Sequence, residues 1–293
     1  MTAPGADPVH QRVRLQGLDC HALHLPGGDR VLVAEHGGQV LSWVAQGRER
    51  LYLSPTAVLD GHAAIRGGIP VCWPQFSLRG SLPRHGWVRQ ARWSFIAADL
   101  QAQSPRLVLE LRPAELLPAD AGPWAHDCRL EVTVAPTPGR LEVTLAVFNM
   151  GQQPLPFTGA LHTYLALSDA ETATVTGWPD PSSRQGWDSM TDTPCRVEPG
   201  LSLRGEIDRI LPAAPAALVM TDGNQELTIE QSGWADTVVW NPGADKCAAM
   251  SDMPNGDERR MACIEAAQAL SPVSVPPRGV WAGTQRLSLV HPS

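Results

Sequence analysis

Through Arg106-Leu107-Val108-Leu109-Glu110-Leu111-Arg112 the leucines take every second position, so an extended chain there has one buried and one wetter face. The same alternation runs through RLEVTV at 129–134 and RLEVTL at 140–145. Between those runs lies Ala135-Pro136-Thr137-Pro138-Gly139, which reads as the proline-stiffened turn of a hairpin. Shorter runs of the same kind stand at 30–34, 201–203 and 286–290, and turn signals recur at Gly27-Gly28, Gly37-Gly38, Asp222-Gly223 and Asn255-Gly256. With 27 prolines and 26 glycines spread along 293 residues, long helices have little room. The pattern predicts an all-β chain folded as a large antiparallel β-sandwich. No repeat, low-complexity tract or linker divides it, so one domain over 1–293 is expected, with residues 1–10 as a loose N-terminal tail.

One segment resists. DERRMACIEAAQAL at 257–270 has high helix propensity, and Ala262, Ala266, Ala269 and Leu270 fall on one helical face. Read alone it predicts a helix.

Composition narrows the class. Hydrophobic residues are 43% and charged residues 18%, the balance of a globular protein. A net charge of -7 gives no expectation of nucleic acid as a partner, although a few local arginines can still hold one small anion. There is no signal-peptide pattern and no apolar run long enough to span a bilayer, so no membrane association is expected. Six cysteines without a Cys-x-x-Cys pair fit neither a zinc site nor a disulfide framework, and predict reduced thiols in cytoplasm. Dinucleotide, P-loop, nucleophile-elbow and zinc-protease motifs are missing, and the nine histidines do not cluster at metal-ligand spacing.

The candidate chemistry sits in separate stretches. Arg66-Gly67-Gly68 offers a guanidinium fork beside two glycines that allow close approach to a ligand, or else a plain tight turn. Pro83-Arg84-His85-Gly86-Trp87-Val88-Arg89 gathers ionisable groups that, with Arg66, can surround a phosphate, or form an ordinary polar loop. In Leu161-His162-Thr163-Tyr164-Leu165, a strand places His162 and Tyr164 on one face and the leucines and Thr163 on the other. A lone histidine there is more often a satisfied core residue. On a cleft it is a proton donor or acceptor near neutral pH. Glu265, in Met261-Ala262-Cys263-Ile264-Glu265, is a buried carboxylate if the segment is a strand and a solvated one if it is a helix. Asp208 beside Arg209 reads by itself as a surface ion pair.

In order along the chain, RGGIPVCWPQF (66–76), LPRHGWVR (82–89), ALHTYL (160–165), EIDRI (206–210), VVWNPGADK (238–246) and ACIE (262–265) resemble the aldose 1-epimerase superfamily, and within it the hexose-6-phosphate mutarotases, or glucose-6-phosphate 1-epimerases. The resemblance implies a sandwich of galactose-mutarotase type with a site on its concave face, and a strand rather than a helix at 261–265. It implies Glu265 as general base and His162 as general acid. Arg66 and Arg89 match phosphate-holding positions, and His85 and Asp208 match positions that contact the sugar. The family commonly carries Gln or Arg where Arg84 stands and a glycine where Ser77-Leu78-Arg79 begins. The expected reaction interconverts the α and β anomers of a hexose 6-phosphate by acid/base ring opening and reclosure, with no metal and no cofactor. Two alternatives remain: a mutarotase of unphosphorylated aldoses, and a non-catalytic carbohydrate-binding protein using Trp73, Trp87 or Trp240.

Overall fold

Period-two segments become the strands of three antiparallel sheets in a computed structural model that describes residues 7–101, 104–113, 126–178, 185–214 and 216–290. An N-terminal sheet runs in chain order through β1 (Val9–Leu15), β2 (Leu18–His24), β3 (Arg30–Ala34), β4 (Gln39–Ala45) and β5 (Arg48–Glu49). The two large sheets need more of the chain. One has β6 (Val71–Cys72) at an edge, then β11 (Leu155–Leu161), β21 (Met261–Val275), β20 (Asp236–Asn241), β17 (Ile207–Pro212), β14 (Gln185–Asp188) and β15 (Thr193–Arg196). Its eighth strand, β12 (Tyr164–Ala166), pairs β21 further along. The other runs β7 (Ser94–Asp99), β8 (Arg106–Leu111), β9 (Cys128–Thr137), β10 (Arg140–Asn149), β22 (Val280–Leu289), β19 (Gln225–Ser232), β18 (Leu218–Asp222), β13 (Thr174–Thr176) and β16 (Gly200–Ser202).

The core lies between the two large sheets. Leu107, Leu109, Leu130, Val132, Leu141 and Leu145 of the nine-stranded sheet share one apolar cluster with Phe157, Leu161, Val239, Ile264 and Ala266 of the other. Each such side chain contributes about 1.5–3 kcal/mol on burial. A second cluster, with Tyr164, Val238, Trp240, Met261, Cys263 and Ala267, covers the opposite face of the eight-stranded sheet. β21 is thus buried on both faces, and Met261 to Ala269 is buried without a break.

That burial corrects the helix expected from propensity at 257–270. A 3-10 turn covers Asp257–Arg260 and the rest is strand, hydrogen-bonded to β20 on one side and to β11 and β12 on the other. Alanine-rich sequence suits a helix in isolation, but small side chains also suit a strand packed on both faces, and tertiary pairing decides. The hairpin at 129–145 forms with a tighter turn than expected: β9 continues to Thr137, leaving Pro138-Gly139 as the loop. Pro136 is tolerated because β8 stops opposite Val134, so no ladder bond is lost on that side. The loose tail expected through residue 10 ends sooner: β1 starts at Val9, which pairs His24, and His10 stacks on His21 and Phe95. Residues 1–6 lie outside the described ones. Among the described residues no helix is long and apolar enough to cross a membrane.

Candidate active site

Strand register assembles the site. Leu161 pairs Ala266 and Tyr164 pairs Cys263 at the same offset, which places His162 opposite Glu265. The row continues to Val238 and Ile210 on β20 and β17. The next row on the same face is Tyr164, Cys263, Trp240 and Asp208. Side chains two apart on a strand share a face, so both rows look away from the nine-stranded sheet. From these rows His162, Glu265, Val238, Ile210, Trp240 and Asp208 line an open cleft. Arg66, Arg84, His85, Arg89, His162, Asp208 and Glu265, all singled out from sequence, line this one cleft.

Its floor is an acid/base pair. Nδ1 of His162 lies 3.4 Å from Oε1 of Glu265, a separation that a small rotation turns into a hydrogen bond. Among the described residues, neither that Nδ1 nor Oε2 of Glu265 has a hydrogen-bond partner. Burial, and then the charge of Asp208, push Glu265 well above the usual carboxylate range, against the pull of Arg89 and Arg84. Burial, then Arg89 and Arg66, push His162 well below the usual imidazole value. Both shifts favour the uncharged form of the group concerned.

Around it, the 77–89 segment supplies donors. Gln75 pins the segment, donating from Nε2 to the carbonyls of Ser77 and Leu82 at 3.0 and 2.9 Å and accepting the Leu82 N–H at 2.9 Å. His85 has a left-handed backbone (φ 64°), and Gly86 follows at φ 69°, where a Cβ would sit 2.0 Å from the Trp73 carbonyl oxygen. Nδ1 of His85 accepts the Ser77 N–H at 3.3 Å, so the neutral ring carries its proton on Nε2. Burial, with His162 and Arg89 beside it, holds the ring neutral by pushing its pKa far down. His85 is thereby a neutral donor, its ring 5.4 Å from that of His162.

The cations differ in how free they are. Arg66 donates to Asp252 from Nε at 3.2 Å and to the Tyr164 hydroxyl from Nη1 at 3.0 Å, and the Tyr164 ring stacks on His162 at 4.8 Å. Arg89 donates to the Arg84 carbonyl at 3.1 Å, while its buried Nε has no partner. Arg84 is exposed at the mouth. Lys246 donates to Glu206 at 3.1 Å, a structural ion pair at the cleft edge. Asp208 is pushed above the usual carboxylate range, chiefly by burial. Five basic side chains line the cleft, Arg79 among them, against the two acids Asp208 and Glu265. Although the chain is net negative, this surface is arranged for an anion.

The sequence profile described as aldose 1-epimerase matches residues 19–288. A Cenchrus ciliaris protein bearing the provisional name glucose-6-phosphate 1-epimerase is 33% identical over 277 residues, covering 88% of this chain and 80% of that one. The chain belongs to the aldose 1-epimerase family. An Escherichia coli K12 protein of the same provisional name is 29% identical over 269 residues, covering 89% and 87% of the two chains. In three dimensions, a provisionally named mutarotase from Salmonella typhimurium aligns with TM-score 0.86 at 24% identity, over 97% of this chain and 94% of that one, which establishes the shared fold.

Within this aldose 1-epimerase family member, some residues that shape the site were not found from sequence. Tyr164 was placed on the His162 face without a role, and Asp252, which holds Arg66, gave no signal. Arg79 stood out only where the family commonly has a glycine nearby. Its guanidinium lies over the Trp187 ring at 5.7 Å. The reading of Gly67-Gly68 as room for a ligand is corrected. A Cβ on Gly67 would be 2.4 Å from the Tyr52 carbonyl oxygen, and one on Gly68 2.1 Å from that of Val40, so the close approach is to the protein's own backbone. His162, Cys263 and Glu265 offer ligand atoms within 4.8 Å of one another. As a metal site they fit poorly: burial pushes the Cys263 thiol well up, and the nearby guanidinium groups of Arg66, Arg84 and Arg89 oppose a cation.

Proposed function

We propose that this chain is an isomerase that interconverts the α and β anomers of a hexose 6-phosphate, glucose 6-phosphate first among them, by opening and reclosing the sugar ring. The observation that carries the reading is the 3.4 Å approach of His162 and Glu265 on the floor of a cleft lined by four arginines. Ring opening must take a proton from the anomeric hydroxyl and give one to the ring oxygen. Glu265 takes the first and His162 gives the second. The uncharged resting pair can do both in one relay. Nε2–H of His162 donates to the ring oxygen, the proton on Glu265 passes to Nδ1, and Glu265 receives the anomeric proton as the C1–ring oxygen bond breaks. Rotation about C1–C2 of the open aldehyde and reversal of the relay give the other anomer. Asp208 and the Nε2–H of His85 contact sugar hydroxyls, and Arg84, Arg89 and the remaining donors of Arg66 hold the phosphate by charge-assisted hydrogen bonds. The cytoplasm is the proposed location: the thiols of Cys20, Cys72, Cys195, Cys247 and Cys263, outside any disulfide, agree with a reducing compartment.

The test is α/β exchange measured by NMR on glucose 6-phosphate and on glucose. The specificity constant should favour the phosphate ester at least tenfold, since one charge-assisted bond is worth about 1.5–3 kcal/mol. Arg84→Ala and Arg89→Ala should each raise KM for the ester about tenfold and change KM for glucose much less. Equal constants for the two sugars would reassign the enzyme to free aldoses. Binding without exchange would make it a carbohydrate-binding protein.

A further inference from the structure

The apolar layer between the two large sheets contains a polar chain. Gln285, on β22 of the nine-stranded sheet and 2% exposed, reaches across to the eight-stranded sheet. Its Nε2 donates to the carbonyl of Ile264 at 2.9 Å, and its Oε1 accepts the hydroxyl of Thr163 at 2.5 Å. The Ile264 carbonyl can only accept, which fixes the amide's orientation and makes the Thr163 hydroxyl the donor. Thr163 is fully buried, and its own carbonyl accepts the Ile264 N–H at 3.1 Å. The apolar layer around them holds Leu161, Leu165, Ala262 and Leu287, so the amide is the donor that satisfies the buried Ile264 carbonyl there.

Satisfying that carbonyl is one role of the amide, and its position gives a second. Thr163 follows His162 and Ile264 precedes Glu265, so the amide grips the two strands at the positions next to the acid/base pair, from the opposite face. The strand ladder is also interrupted there: β11 ends at Leu161, β12 resumes at Tyr164, and the His162 N–H turns away to the Pro70 carbonyl at 2.9 Å. Without the amide, a single backbone bond, from the Ile264 N–H to the Thr163 carbonyl, would span that gap.

We propose that Gln285, acting through Thr163 and Ile264, is the positioning residue that fixes the separation of His162 and Glu265. The inference rests on the proposed anomerase reading. Misplacing reacting groups by about 1 Å costs up to a hundredfold in rate, so the effect should appear in turnover and spare sugar-phosphate binding.

Three variants of the full chain test it: Thr163→Ser, Thr163→Val, and the double variant Thr163→Val with Gln285→Met. Each is measured for exchange of glucose 6-phosphate anomers and for thermal unfolding. The serine keeps the hydroxyl and should stay within about twofold of the parent. Thr163→Val and the double variant should lose at least tenfold in kcat with KM changed less than about twofold. The double variant leaves no side-chain polar group unpaired but takes the donor from the Ile264 carbonyl and should melt below the parent, so turnover is compared at a temperature where every variant is folded. A double variant that is stable and fully active would overturn the inference, as would kcat losses that merely follow the losses in Tm. A parent protein that does not speed exchange at all would instead overturn the anomerase reading, and this inference with it.

Discussion

Glu265 and His162 are each 7% exposed or less, and each is poor at holding charge where it sits. The consequence for pH is specific. Adding a second proton to the pair means charging His162, which its surroundings oppose, so the acid limb of kcat should fall well below the ordinary imidazole value of 6.5. Removing the last proton means ionising Glu265, so the alkaline limb should lie well above the ordinary carboxylate value of 4.5. A bell bounded by these two displaced limbs is expected from a pH series of kcat. The same shift has a sign for stability. A folded pKa raised above the unfolded one means that stability is lost as pH climbs through that interval. Glu265→Gln removes this loss, and its Tm near neutral pH should exceed the parent's, as scanning calorimetry would show. Groups poised for proton transfer are held at such a cost. From sequence, His162 and Glu265 could be named as candidates, but their mutual approach could not, because it is a contact across two strands.

At the scale of elements, β21 was the point on which the sequence was ambiguous. Alternation predicted β8, β9, β10 and β3 because each has one wet face, which leaves a period of two in the sequence. β21 is buried on both faces from Met261 to Ala269 and so has no period to read; only the family resemblance favoured a strand at 261–265. Arg66, His85 and Arg89 depend in turn on loops whose glycines touch backbone. At Gly68 a Cβ would approach the Val40 carbonyl oxygen to 2.1 Å at φ 63°. Gly68→Ala should therefore destabilise the fold by at least about 2 kcal/mol, seen as a lower urea midpoint. Gly17, by contrast, has nothing within 4 Å of its added Cβ, and strain at its φ of 97° is the only penalty there. Glycine pairs are visible in a sequence; what they approach is not.

For the whole molecule, a net charge of -7 surrounds a cleft with five basic side chains. Attraction of a phosphate ester to that cleft is screened by salt over about 8–10 Å. KM for glucose 6-phosphate should therefore rise with ionic strength while its kcat, and both constants for glucose, stay level in a salt series. The sandwich architecture was legible because turn signals and alternation recur along the chain. The pairing order of the sheets was not, since it joins residues as distant as His162 and Glu265 through register alone. That register carries the whole account, and one comparison probes it: the enzyme-dependent rate of α/β exchange of glucose 6-phosphate in the parent and in Glu265→Gln, at matched occupancy of the site. The account predicts exchange proportional to parent concentration, and in the variant a rate at least about a hundredfold lower with the ligand still bound. Comparable exchange in the two proteins would contradict it.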